Sequence, residues 1–459
     1  MRKLLRSLLS QDRIAGGAFV LALTGLLASV CGFLRDQAFS IMFPLDKDPL
    51  GVASVYIAAF RPSDLLFQIF VMSCLSVVVV PFLAGHLAHG RKREMDRIVT
   101  STMLLFGIAF GIAALVLAIF FPAVAPKLVK FEGPTLALYI RFGRIALLTN
   151  FLFVFGNAIG QYLIAKQRYW VYGLTPIVWA LCTIGGIYFL SGPLGPMGPI
   201  VGTLIGTVIY VLWRSIAVVQ SGFRPELAGM NLIHDELWQM GWLIIPRMAA
   251  LGALQLQLLL LDRLASGLET KVVALNQFAR NFESVIPGIV GIAIAQSVFS
   301  LLGQYAALGD GIRFRRCMKK GILMNLALSI PGAVCLAVCA GIAAWLMRLD
   351  ASVTPMFISS LLIYAVAVPF ESLNHIILRS FYSLKNTGWP AVTSVVSCIV
   401  AVGTGTVLLP SLGLYALAIA FVGGQVVQTV LLSIALKALL RQRIGGSGQG
   451  VGAIEMEMA

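Results

Sequence analysis

Residues 52–85 read VASVYIAAFRPSDLLFQIFVMSCLSVVVVPFLAG, an apolar run interrupted near its start by Arg61 and Asp64. At 1.5 Å per residue such a run exceeds a hydrocarbon core about 30 Å thick, so it reads as a transmembrane helix. Two ionisable groups inside it face protein or water, because lipid does not tolerate them. Runs of the same kind recur along the chain, predicting twelve spans at about 14–43, 52–85, 98–122, 136–166, 171–190, 196–219, 236–265, 271–304, 317–347, 353–384, 389–409 and 412–440. Of the 459 residues, 59% are hydrophobic and 12% charged, about half the charged share of a soluble protein. The expected class is an all-α integral membrane protein.

The distribution of basic residues gives the topology. With the amino terminus in the cytoplasm, the inside segments carry 22 of the 34 Lys and Arg residues, Arg214 and Arg379 among them. The outside loops carry only Lys47, Lys127, Lys130, Arg263, Lys271 and Arg348. This is the positive-inside pattern, and both termini are expected in the cytoplasm. The formal charge of +15 thus reflects topology and attraction to anionic headgroups, not nucleic acid. The basic start MRKLLRSLLSQDR leads into a run too long for a cleaved signal peptide. The seven cysteines show neither metal-ligand spacing nor a disulfide framework and read as small packing residues. The tail after Arg443 is Gly-rich and is expected to be disordered.

The second run is echoed by the eighth. Phe60-Arg61-Pro62 opens one and Phe278-Ala279-Arg280 opens the other, and both continue through small and β-branched residues. The connection AKQRYWVYGLTPIV (165–178) is echoed by YSLKNTGWPAVTSVV (382–396). Two six-helix lobes in the same orientation follow, related by a pseudo-twofold axis along the membrane normal, an arrangement that places substrate between halves. The expected parts are a basic terminus (1–13), an N-terminal lobe (14–220), a cytoplasmic linker (221–235), a C-terminal lobe (236–440) and a tail (441–459).

The remaining ionisable residues within spans define the candidate site. They are Arg35 and Asp36, Arg61 and Asp64, Arg141 and Arg144, Arg247, Arg280 and Glu283, and Glu371 beside Asn374 and His375. Arg61 with Asp64, and Arg280 with Glu283, are three apart and share a helix face. Either the pairs neutralise themselves or they meet a ligand. Arg247 follows Pro246, whose ring frees a carbonyl within the helix. Arg141 and Arg144 lie near a helix end and can snorkel. The arginine excess points to an anionic ligand, since the guanidinium fork matches phosphate and diphosphate oxygens. Arg35, Asp36, Arg61, Arg247 and Arg280 are the candidate substrate-binding residues. Asp64, Glu283 and Glu371 are the candidates for ion coupling or gating, with Glu371 otherwise bonded to Asn374 or His375. No phosphate loop, nucleophile elbow or metal cluster is evident, and a transporter is expected rather than an enzyme.

Several stretches resemble one family, the MurJ/MviN-type lipid II flippases of the multidrug/oligosaccharidyl-lipid/polysaccharide exporter superfamily. Cys31-Gly32-Phe33-Leu34-Arg35-Asp36 resembles its G-F-x-R-D motif, and AAFRPSDLLFQIFVMSCLSVVVVPFL (58–83) its second helix. RYWVYGLTPIV (168–178) is similar to the turn into its fifth helix. LDRLASGL (261–268) with ALNQFARNFESVIPGIVGIAIA (274–295) is similar to its seventh and eighth. LRSFYSLKNTGWPAV (378–392) matches its F-Y-S-x-(K/R)-(D/N)-T-x-x-P signature. The resemblance implies two MATE-like six-helix lobes around a cationic cavity. It implies outward flipping of an undecaprenyl-diphosphate-linked peptidoglycan precursor by alternating access in the bacterial inner membrane. Arg35 and Asp36 match family positions directly, and Arg280 lies near the family's eighth-helix arginine. The chain departs from the family at Ser29, where an arginine is common, and at Phe67, Gln68 and Met72, where arginines and an acid are common. Well-known members also carry two further helices. The competing readings are a flippase for another lipid-linked oligosaccharide, a cation-coupled multidrug exporter, and a non-transporting scaffold for cell-wall enzymes. Expected partners are the lipid-linked glycan, membrane lipids and cell-wall synthesis proteins. No cofactor is expected, and the drive is a coupling ion (Na+ or H+) or the membrane potential.

Overall fold

The computed structural model describes residues 14–72, 91–226 and 235–445, and all regular structure there is helical. The basic terminus, the second half of the second span, residues 227–234 of the linker and the tail beyond Gly445 lie outside the described residues, and residues 441–445 of the expected tail continue the last helix. The first helices are α1 (Ile14–Met42), α2 (Val52–Phe67, continued by Gln68–Met72), α3 (Lys92–Leu128) and α4 (Gly133–Ala165). Next come α5 (Tyr169–Gly185, continued by Gly186–Leu190), α6 (Gly198–Gln220) and α7 (Asp235–Ala265). Then α8 runs Val272–Ile286, Pro287–Gly291 and Ile292–Ala307, followed by α9 (Gly311–Val338, then Ala340–Leu346). The last are α10 (Thr354–Ala365, then Val368–Ser383), α11 (Gly388–Leu412) and α12 (Tyr415–Gly445). Among the described residues, ten helical stretches are long and apolar enough to cross a membrane. One of them, Tyr169–Gln220, is two spans reversing at Gly195, and α1 supplies the first span, which gives the twelve expected.

The internal repeat is written in the backbone. α4 and α10 end in the same turn. Lys166 N–H bonds to the Tyr162 carbonyl, Gln167 to Ile164 and Arg168 to Leu163, and Leu384, Lys385 and Asn386 bond to Ser380, Tyr382 and Phe381 in the same pattern. Gln167 and Lys385 both adopt left-handed backbone, at φ 59° and 53°. The α5–α6 and α11–α12 reversals each hinge on a glycine, Gly195 (φ 56°, ψ −135°) and Gly413 (φ 54°, ψ −128°), a conformation closed to residues with a Cβ. α2 and α8 each contain one wide turn with i→i+5 geometry, Gln68–Met72 and Pro287–Gly291. Bringing these two turns into register also aligns Arg61 with Arg280 and Asp64 with Glu283 in sequence. This is one residue away from the register that the flanking phenylalanines suggest. Wide turns of this kind are infrequent and concentrate at functional sites.

The described residues pack as two units. One extends to Leu275 and includes Leu346–Val353, and the other comprises Asn276–Trp345 and the chain from Thr354 onward. The packing boundary falls inside α8, whereas the sequence repeat placed it at 221–235. The difference has a physical cause: α7 is fastened to α2. A Cβ at Gly252 of α7 would stand 3.1 Å from Cγ1 of Ile69 in the wide turn, so only a small residue admits this approach. A buried ion pair described below reinforces it. The start of the linker is likewise tied to α3. Arg224 N–H donates to Asp96 and Glu226 N–H to Thr100 Oγ1. Arg93 grips the Glu226 carboxylate through two nitrogens, at 3.1 and 3.2 Å, and this hydrogen bonding holds that carboxyl below its ordinary range.

Candidate functional site

In the first unit polar groups of α2 bond those of α4 and α7 within the apolar spans, while those of α1 pair with each other. Arg35 reaches its own neighbour, with Nη2 2.7 Å and Nε 3.1 Å from Asp36 Oδ1. Asp36 is buried while Arg35 stays partly exposed, so the arginine is the accessible member.

Arg61 does not use Asp64 as its hydrogen-bonding acid, as the three-residue spacing suggested. Its Nε lies 2.6 Å from Oδ2 of Asp262 in α7, and both side chains are buried. Asp64 instead accepts from Asn150 Nδ2 of α4 at 2.8 Å, and the same amide reaches Ser63 Oγ at 2.8 Å. Residues three apart on a helix diverge by about 60° around its axis, so Arg61 meets α7 while Asp64 meets α4. Asp262 was not expected at the site, because beside Arg263 at the end of an apolar run it reads as interfacial. Asn150 gave no signal beyond being a lone amide in an apolar helix. Arg247 is half-buried in α7 immediately after Pro246.

In the second unit Arg280, Glu283 and Glu371 come together. Glu283 is fully buried in α8, and its carboxyl interacts with those of Glu371 and with the Arg280 guanidinium. Arg280 lies over the Phe421 ring at 5.6 Å. Of the two readings of Glu371, the structure does not show the alternative bond to Asn374 or His375. Asn374 donates to Gln425 Oε1 at 2.9 Å and accepts from Thr429, while His375 packs beside Gly291. α10 breaks at Ala365–Val368 and restarts with Glu371 in its first turn, where the positive end of the helix dipole favours an acid. Two acids thus face one arginine, one turn before the wide turn of α8. Nearby, Arg379 donates to the Ile292 carbonyl just past the wide turn, at 2.8 Å.

Two arginines assigned to cytoplasmic loops prove to be internal. Arg379 lies within α10, and Arg214 lies within α6 at 1% exposure. The Arg214 guanidinium is sandwiched by Tyr172 and Tyr210, 4.5 and 4.2 Å from the ring centres. It donates to Thr175 Oγ1 and to the Gly156 and Tyr172 carbonyls at 3.0, 2.8 and 3.2 Å. Gly160 admits it, since a Cβ there would stand 2.6 Å from Nη1. This is a fastener for α4, α5 and α6. Arg214→Met is expected to cost about 2–4 kcal/mol, the order of a charge-assisted hydrogen bond plus a desolvated cation–π contact. Arg214→Lys is expected to recover little of it, because a point charge does not reproduce the fork. Thermal midpoints in detergent check both; a lysine variant as stable as the parent would contradict the assignment.

Repeated helical elements with buried charge clusters in the spans define a polytopic α-helical membrane protein with a MATE-like fold. Solved structures agree on the fold. A lipid II flippase MurJ in an inward closed conformation is similar with a TM-score of 0.72 at 16% identity, over 95% of this chain and 92% of that one. A MATE-family multidrug resistance transporter in its inward-facing conformation is similar with a TM-score of 0.74 at 14% identity, over 90% and 94%. The profile of the family described as lipid II flippase MurJ matches residues 51–452, and the chain belongs to that family. Relatives include the probable lipid II flippase MurJ of Bdellovibrio bacteriovorus, 25% identical over 94% of this chain and 83% of the relative. The probable lipid II flippase MurJ of Treponema pallidum is 21% identical over 93% and 82%. The protein is accordingly a multi-pass inner-membrane protein.

Proposed function

We propose that this chain flips lipid II, an undecaprenyl-diphosphate-linked peptidoglycan precursor, across the inner membrane by alternating access. The observation that carries the reading is family membership across residues 51–452, alongside Arg35 in the G-F-x-R-D-like motif and Arg280 near the position of the family's eighth-helix arginine. Arg35, Arg247 and Arg280 hold the diphosphate, with bidentate guanidinium–phosphate contacts as the source of affinity. Arg61 is the counter-charge of Asp262. The Glu283–Glu371 pair carries the coupling proton or Na+, with the membrane potential adding to the drive. Both termini are cytoplasmic, the lobes 14–220 and 236–440 are the moving halves, and cell-wall synthesis proteins receive the product. Catalysis plays no part.

Complementation of a flippase-depleted bacterium tests this, with Arg35→Ala, Arg247→Ala and Arg280→Ala compared at equal membrane abundance. The parent chain restores growth and each variant loses it. Full activity in all three would overturn the binding assignment, and failure of the parent chain would move the substrate to another lipid-linked glycan. Two acids beside one arginine in the second unit also suit a cation-coupled multidrug exporter. Drug efflux without complementation would favour that reading.

A further inference from the structure

A groove of about 610 Å³ runs along the outside of the first unit between α3 and α4. Its wall is apolar from Leu104 to Ala118 on α3 and from Leu147 to Phe155 on α4, a length of about 20 Å. Glycines make it. A Cβ at Gly107 would stand 3.1 Å from the Phe155 ring, and one at Gly111 would stand 3.0 Å from Phe151, so the two rings form a floor below the helix surface. One charged residue lines the groove, Arg144, at the end nearer the α3–α4 turn. Pro122 lacks the N–H that would bond the Ala118 carbonyl, and Arg144 Nε supplies that bond at 3.0 Å. This anchors the guanidinium at the groove's end while the side chain stays exposed. Arg141, also exposed, is three residues earlier on the same face of α4.

Depth fits a lipid headgroup. α4 has 33 residues and spans about 50 Å, so it overshoots a 30 Å core by about 10 Å at each end when centred. Arg144 then lies about 6 Å inside the hydrocarbon boundary and Arg141 about at it, where arginines snorkel to phosphates. By the proposed topology this is the outer-leaflet end. We infer that this groove binds a single-chain polyprenyl diphosphate, with its tail along Gly107, Gly111 and the Phe151–Phe155 floor and its diphosphate on Arg144 and Arg141. A single furrow suits one chain rather than the two of a phospholipid, and two guanidinium groups one turn apart suit two phosphates. The inference rests on the lipid-linked substrate of the preceding reading and adds an outer-leaflet site for its lipid.

The test is photo-crosslinking of the full chain in phosphatidylcholine nanodiscs with radiolabelled undecaprenyl diphosphate lacking any glycan. A benzophenone side chain replaces Ile112 at the groove or Ile399 on α11, exposed apolar positions of similar accessibility (61% and 66%). Labelling at Ile112 is expected to exceed that at Ile399 by about tenfold, a preference of 1.4 kcal/mol. It is expected to fall toward the Ile399 level in Arg141→Ala/Arg144→Ala and, with both arginines kept, in Leu115→Trp, which fills the furrow. Equal labelling at the two positions, or equal displacement by phosphatidylglycerol, overturns the proposal and leaves an ordinary lipid-facing surface. Chain that translocates lipid II yet shows no preference at Ile112 sinks the groove alone. Labelled chain that fails to translocate supports the groove and sinks the flippase reading.

Discussion

Asp262→Ala is expected to destabilise the protein by about 3–5 kcal/mol, because it leaves the Arg61 guanidinium buried without the carboxylate 2.6 Å away. Arg61→Leu is expected to cost a similar amount by orphaning Asp262. The double variant Arg61→Leu/Asp262→Leu is expected to return close to the parent, since apolar residues of similar volume replace a buried pair at little cost. Thermal midpoints in detergent read all three, and the coupling term of the cycle is the quantity of interest. The cycle also decides what Arg61 does. If it only balances Asp262, the folded double variant complements a flippase-depleted strain. If it also grips the diphosphate, the double variant folds and fails to complement. Additive losses in the two single variants would show that the pair contributes no mutual energy.

The twelve spans were legible because hydropathy and loop charge are local properties of the chain. The repeat was legible for the same reason, as the matched connections at 165–178 and 382–396 fold into identical turns. Partner choice within the spans was not. Arg61 and Asp64 share a helix face by spacing, yet which neighbouring helix each meets is fixed by the packing of α4 and α7, and no spacing rule carries that. Arg214 read as a loop charge because it stands near the end of an apolar run. Its burial depends on Tyr172, Tyr210 and Gly160, which are on three different helices. Glu371 read as a lone acid because Glu283 is 88 positions away in sequence. The wide turns of α2 and α8 had no sequence signature beyond Pro287, and α2 forms its turn without a proline inside it.

Arg280→Met is expected to be the most damaging single change in the second unit. It removes the one arginine beside the Glu283 and Glu371 carboxyls at a site with no access to water for Glu283. A loss of about 3–5 kcal/mol follows from leaving buried acid without its counter-charge. Glu283→Gln has the opposite sign of effect on that term, since an amide removes one acid and donates a hydrogen bond to Glu371. Arg280→Met/Glu283→Gln is therefore expected to recover most of the lost stability. Recovery of folding without recovery of complementation would assign Arg280 a contact with substrate beyond its structural pairing. Recovery of both would reduce Arg280 to a counter-charge and leave Arg35 and Arg247 as the diphosphate ligands. Glu283→Gln alone isolates the coupling role. Chain that still complements, but whose transport no longer responds to an imposed proton or Na+ gradient, identifies the acid pair as the coupling site. An undiminished response to both gradients would remove the pair from the mechanism.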